Sequence, residues 1–175
     1  VGEMKVSPAD RKKTGTTITW LPDLEVFTQT DIPTDYFTDI LHRQAVVNAG
    51  VVFRFRNQGE RGFEETLFTY ENGIADYVAE LAGQAPHTPI QFWTGERTGR
   101  DRPDYKVKLS CAFCFCPAHH IIEHYHNSSW LEHGGAPEKA MRSAFLSAMD
   151  GWLKQNNKYN KNEAKITWPD VQETL

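Results

Sequence analysis

Three cysteines and two histidines fall within ten residues, at Cys111, Cys114, Cys116, His119 and His120. Thiolates and imidazoles are the donor set of a structural zinc site. The local periodicity opposes that chemistry. On a regular strand Cys111 faces away from Cys114 and Cys116, whereas paired zinc thiolates usually converge from a turn. Cys111 reads better as a small core residue, and no metal is assigned. His124 and His126 share a strand face but lack an identifiable third ligand. Glu64 with Glu65, and Asp101 with Asp104, are paired carboxylates of the kind used for proton transfer. They sit in a hairpin and a polar loop, where solvated charge is the ordinary reading. No nucleophile stands beside a base, so no catalytic residue is assigned. The phosphate cradle GxxxxGK[ST] does not occur. Arg142 and the lysines Lys154, Lys158, Lys161 and Lys165 offer cations for phosphate without base reading. Taken singly, each fits a solvated helix or loop face better.

The elements that would position these groups follow from periodicity. Thr14 to Trp20 is rich in β-branched residues and is expected to be a strand. A helix is expected over 34–49, with Phe37, Ile40, Leu41 and Ala45 on one face and Gly50 as its left-handed cap. Val51 to Arg56 and Phe63 to Tyr70 predict a hairpin, with Ile74 to Leu81 as a short helix after it. A strand over 90–94 leads into a polar loop over 95–103. Tyr105 to Cys116 is the clearest strand of the chain, stopped by Pro117, with His119 to Asn127 as its expected antiparallel partner. A helix from Pro137 to Gln155 carries the stripe Met141, Ala144, Phe145, Ala148, Met149 and Trp152. Thr167 is the expected cap of a last helix, with Pro169 in its first turn. Strands and helices mix without strict alternation. The expected fold is α+β, a sheet of about four or five strands with helices on one face.

Composition narrows the class. The chain has 175 residues, of which 39% are hydrophobic, enough for one packed domain. Its net charge of −4 argues against a dedicated non-specific nucleic-acid binder, though not against a local basic surface. No apolar run approaches the ~20 residues of a membrane span, and the start shows no basic-then-apolar leader. Three cysteines do not make a disulfide framework, so a reducing cytoplasm is expected. The chain begins at Val1, and a fragment of a larger protein is expected.

Four stretches, in order, resemble the transducer domain of the bacterial gyrase and topoisomerase IV B-subunit family, the type IIA topoisomerases. The first is Thr14-Gly15-Thr16 through Pro22-Asp23 to Glu25-Val26-Phe27. The second is Ala45-Val46-Val47-Asn48-Ala49-Gly50-Val51. The third is Phe68-Thr69-Tyr70-Glu71-Asn72-Gly73-Ile74. The fourth runs from Tyr125-His126-Asn127 through Glu132-His133-Gly134-Gly135, Glu138 and Arg142-Ser143-Ala144 to Asp170-Val171-Gln172-Glu173 and Leu175. There are departures. Ala136-Pro137 replaces the family's Thr-His, Ala140-Met141 its Gly-Phe, and Gln172-Glu173-Thr174 its Arg-Glu-Gly. They point to a divergent gyrase or a paralogue.

The resemblance implies a ribosomal protein S5 domain 2-like fold with a left-handed βαβ crossover, an exception to the usual hand. It implies one transducer domain over 1–175, with an ATP-binding domain before it and the cleavage core after it. The domain would relay ATP binding and hydrolysis to DNA strand passage and help frame the DNA cavity. Arg142 matches an arginine facing that cavity, and Lys154 would extend the basic end of the same helix. The parent would use ATP and Mg and work with an A subunit and a second B subunit. The lysine of a Gln-Thr-Lys loop that reaches the ATP γ-phosphate would lie beyond Leu175, so the chain alone is expected to be inactive. From a different class, a stand-alone S5-like module binding nucleic acid or protein is the rival reading.

Overall fold

The computed structural model describes residues 3–10, 12–84, 86–117, 120–173 and 175. The chain divides into two units, Val1–Pro33 and Thr34–Leu175. In the first unit the segment 14–20 runs without a ladder partner. Its β-branched residues favour an extended backbone, and its exposed N–H and C=O groups are left to water. Trp20 and Phe27 meet edge to face at 6.4 Å across a turn in which the Asp23 carbonyl accepts from the Val26 and Phe27 N–H groups.

The second unit is α+β. It contains helices α1 (Thr34–Val47), α2 (Ile74–Ala82), α3 (Ala136–Gln155) and α4 (Trp168–Gln172). Its strands are β1 (Phe53–Gly59), β2 (Gly62–Phe68), β3 (Gln91–Thr98), β4 (Lys106–Phe113), β5 (Tyr125–His126) and β6 (Ser129–Trp130). Among the described residues these strands form three separate antiparallel pairs, β1–β2, β3–β4 and β5–β6. The expected sheet of four or five strands is therefore replaced by three ribbons. The first and third ribbons close through two-residue turns and the second through the loop 99–105, all local pairings that cost little loop-closure entropy.

The first hairpin lies on α1. Phe53, Phe55 and Asn57 alternate inward while Arg54 and Arg56 face water, and the Phe55 ring stacks on Phe37 at 5.7 Å. Helix α1 ends at Val47, short of the expected 49, and Gly50, left-handed at φ of 73°, donates its N–H to the Tyr70 carbonyl at 2.9 Å rather than to a carbonyl of α1. The face that α1 buries is shifted, however: Ala45 and Val46 are buried, whereas Ile40 is exposed. Across the outer face Glu65 sits 3.7 Å from Arg54 and 3.8 Å from Arg56. Exposed pairs of this kind add little stability but suit the register Arg56↔Glu65.

The second ribbon reaches further than expected at one end and less far at the other. Pairing continues to Thr98↔Lys106, so Arg97 belongs to β3 and not to a loop. At the other end β4 stops at Phe113. Beyond it, Phe115 accepts from the His87 N–H at 2.7 Å and donates its own N–H to Thr88 Oγ1 at 3.0 Å. There Cys114 and Cys116, not Cys111, enter the core, packed with Ala82, Val78 and Ile90. Cys111 is half-buried. The expected partner strand over 119–127 is reduced to Tyr125–His126, which pairs with Ser129–Trp130. Asn127, at φ of 54°, supplies the left-handed turn residue between them. His119 lies outside the described residues.

Helix α3 meets the β3–β4 ribbon through Phe145, edge to face with Phe113 at 5.0 Å. Its half-buried face carries Met141, Phe145, Leu146, Met149 and Leu153. Ala144, Ala148 and Trp152 of the expected stripe turn outward, Trp152 at 56% exposure. Helix α4 is capped by Asp170, whose Oδ2 accepts from the Thr167 N–H and the Thr167 hydroxyl, each at 2.7 Å.

Candidate nucleic-acid interface on helix α3

The two cations assigned to DNA contact both lie on α3. They are twelve residues apart, which on a helix is about 18 Å along the axis and a third of a turn around it. The structure does not bring them together on one phosphate. Each is paired one turn back along the helix. Arg142 bridges to Glu138, with 45% and 29% of the two side chains exposed. Lys154 donates to Asp150, which also accepts from the Tyr159 hydroxyl at 2.9 Å. Those donors hold the Asp150 carboxyl below its ordinary range, the Lys154 hydrogen bond foremost. Tyr159 in turn accepts from the Ile166 N–H at 3.1 Å, fastening the loop after α3 back onto the helix. Lys158, Lys161 and Lys165 stay exposed along that loop.

Arg142 has a second neighbour that its sequence position does not suggest. Its guanidinium lies 5.1 Å from the centre of the Trp168 ring at the start of α4. A cation over an indole face is attracted by the ring quadrupole. His124 also borders the group. Burial pushes its imidazole below the ordinary value, while Glu138 acts upward and Arg142 downward. His124 Nε2 and Trp168 Nε1 are the buried side-chain nitrogens without a hydrogen-bond partner among the described residues. Glu138 folds back over the loop before α3, so that a Cβ on Gly134 would collide with it. Gly134 and Gly135 have φ of 63° and 75°, which is why that turn needs glycine.

A second polar cluster ties α1 to α2. Tyr70 accepts from His42 Nε2 at 2.8 Å and donates to Glu80 at 3.0 Å. Burial, and then the Glu80 carboxylate, push the Tyr70 phenol above its ordinary range. Glu123 receives the hydroxyls of Tyr125 at 2.7 Å and Tyr77 at 3.5 Å. Arg43 lies 4.1 Å over the Trp130 ring, and Gln44 donates to the Ser128 carbonyl at 2.7 Å, so β5–β6 rests on α1. A phenol held neutral is a poor nucleophile, and this cluster serves packing. Neither it nor Trp168 was reachable from sequence, because partners so distant along the chain share no periodicity.

The other expected groups are dispersed. Among the described residues no three His, Cys, Asp or Glu side chains gather to hold a metal. His126 is exposed on β5, whereas half-buried His124 precedes the strand. Among the described residues, one concavity of about 290 Å³ lies beside His120, Pro169, Gln172 and Glu173, and another of about 400 Å³ surrounds the Gly59–Glu64 turn. The second offers Arg61 against two carboxylates, Glu60 and Glu64. No described helix is long and apolar enough to cross a membrane.

Sequence and fold comparisons define the class. The DNA gyrase B family profile matches residues 73–175. The B subunit of topoisomerase 4 from Streptococcus pneumoniae is 24% identical over 98% of this chain. The DNA gyrase B subunit of Spiroplasma citri is 32% identical over 93% of it. These matches cover 25% and 26% of the two relatives, so the chain spans about a quarter of their length. The crystal structure of the 43K ATPase domain of Thermus thermophilus gyrase B, solved with an aminocoumarin, superposes with a TM-score of 0.65 at 21% identity. That likeness covers 87% of this chain and 40% of the other, and it is a likeness of fold. The protein is a topoisomerase B-subunit type of domain; it belongs to the DNA gyrase B family.

Proposed function

We propose that this chain is the transducer domain of a type IIA topoisomerase B subunit, with an S5 domain 2-like fold. It would pass the nucleotide state of an ATP-binding domain to a DNA-cleaving core and help frame the cavity that admits a duplex. The observation that carries this reading is the match of nearly the whole chain to about a quarter of such B subunits. The four ordered motifs fall within the same span. ATP and Mg would serve the parent protein, together with an A subunit and a second B subunit. The chain itself lacks both a Gln-Thr-Lys loop and a glycine-rich phosphate cradle.

Arg142 and Lys154 would contact the DNA backbone independently of its sequence. Because they are about 18 Å apart along α3, each would meet a different phosphate. Two measurements test the reading. The purified chain should turn over ATP at background rate, and robust turnover overturns the assignment. Arg142→Ala and Lys154→Ala should each weaken duplex binding and lower the salt slope by about one; an unchanged slope in both removes α3 from the interface.

A further inference from the structure

We propose that the Arg142 cluster is a phosphate-oxyanion site in which Glu138 stands in for the anion until one arrives. The proposal rests on the reading of Arg142 as a phosphate contact and adds the groups that complete and regulate that contact.

The cluster is rich in donors and poor in acceptors. Arg142 carries five N–H groups, and Glu138, one turn back, is its carboxylate partner. Trp168 Nε1 can only donate, yet it is buried without a partner among the described residues. His124 Nε2 is buried in the same condition, in a ring whose charged form burial disfavours and that lies near both Glu138 and Arg142. With its proton on Nε2, that ring is another unmatched donor. Buried polar groups are almost always paired in native structures, and an unpaired one points to an acceptor still to come. An oxyanion supplies several acceptor oxygens at once. Phosphate matches the planar fork of the guanidinium, and the oxygens not taken by Arg142 remain for neutral donors.

Glu138 is the internal competitor. Its carboxylate already neutralises the cation, so a phosphate must displace it before Arg142 is available. Trp168 beneath the guanidinium limits where Arg142 can swing, so the exchange keeps the cation at the start of α4. The carboxylate thereby lowers affinity for stray anions, while a duplex that presents phosphate at this point replaces it.

The test uses the whole chain in chloride buffer, titrated with inorganic phosphate and, separately, with a short duplex. The readouts are the indole ¹H–¹⁵N signal of Trp168, assigned with Trp168→Phe, and duplex anisotropy. Both anions should move that signal. Glu138→Gln should bind each about two- to fivefold more tightly, the worth of an exposed ion pair. Trp168→Phe, which keeps a ring under Arg142 but loses the N–H, should weaken binding about fivefold. If Glu138→Gln binds no more tightly, or if neither anion moves the signal, the site is overturned. That would hold even where Arg142→Ala weakens duplex binding and so upholds the simpler contact. If Arg142→Ala leaves duplex binding intact while phosphate still shifts the indole signal, the DNA contact fails and the site stands for free phosphate.

Discussion

The Tyr70 phenol has one proton and two neighbours. Glu80 can only accept it as a carboxylate, so the bond from His42 must carry the imidazole's own proton on Nε2. Tyr70→Phe breaks both links, and a loss of about 1–2 kcal/mol is expected in urea unfolding. The same substitution should flatten the alkaline limb of stability. The folded phenol holds its proton above the ordinary value of 10.0, so its contribution is complete below that pH and is lost as pH rises beyond it. His124 works on the acid side with the opposite sign. Its folded value lies below the ordinary 6.5, so the stability it contributes is present above 6.5 and lost as pH falls through the lower value. His124→Gln should leave thermal melts below pH 6.5 less dependent on pH, as about one titrating group is removed; an unchanged slope would place the acid sensitivity elsewhere.

At the scale of elements, the two ends of α2 make a controlled comparison. Gly73 and Gly83 share nearly the same backbone, with φ of 58° at both. Alanine at either position meets about 1–3 kcal/mol of backbone strain. At Gly83 the added Cβ enters open space, but at Gly73 it lands 3.1 Å from Ala49 Cβ and 3.2 Å from the Val46 carbonyl. Gly73→Ala should therefore cost more in chemical unfolding than Gly83→Ala, and equal costs would show that α1 gives way freely. The same close approach explains why the turn after Tyr70 can bring α2 against the end of α1. Helix α3 teaches a different lesson. Its 3.6-residue period was legible, but its buried face turned toward Leu146 and Leu153 because Phe113 receives Phe145 from that side.

Across the second unit, burial is concentrated in two small clusters, around Ala45, Val46 and Tyr70, and around Ala82, Cys114 and Cys116. Val46 is fully enclosed, and Val46→Ala should lower stability by about 1.5–2 kcal/mol through its two lost methyl groups. The face of the β3–β4 ribbon that carries Trp93 and Leu109 contributes little by contrast. Trp93 and Leu109 are 56% and 51% exposed. Leu109→Lys should shift the melting midpoint by no more than the ~0.5 kcal/mol typical of surface changes, while raising solubility; a large loss of stability would mean that this face is packed in solution.

Local chemistry was written in the sequence. Gly50 makes the left-handed turn that follows α1, the alternation of β1 exposes its arginines, Thr167 starts α4, and the ordered motifs point to the gyrase B family; each depends on residues only a few positions apart. Even so, alternation names the two faces of a strand without naming its neighbour. Thr14 to Trp20 thus has strand composition but no ladder, and the expected broad sheet became three ribbons. Tertiary structure alone decided that Cys114 and Cys116 would be buried ahead of Cys111, and that Trp168 would lie under Arg142. The physical reason is common to both. Packing depends on which surfaces meet in space, and a one-dimensional period carries no term for a partner brought in from another part of the chain.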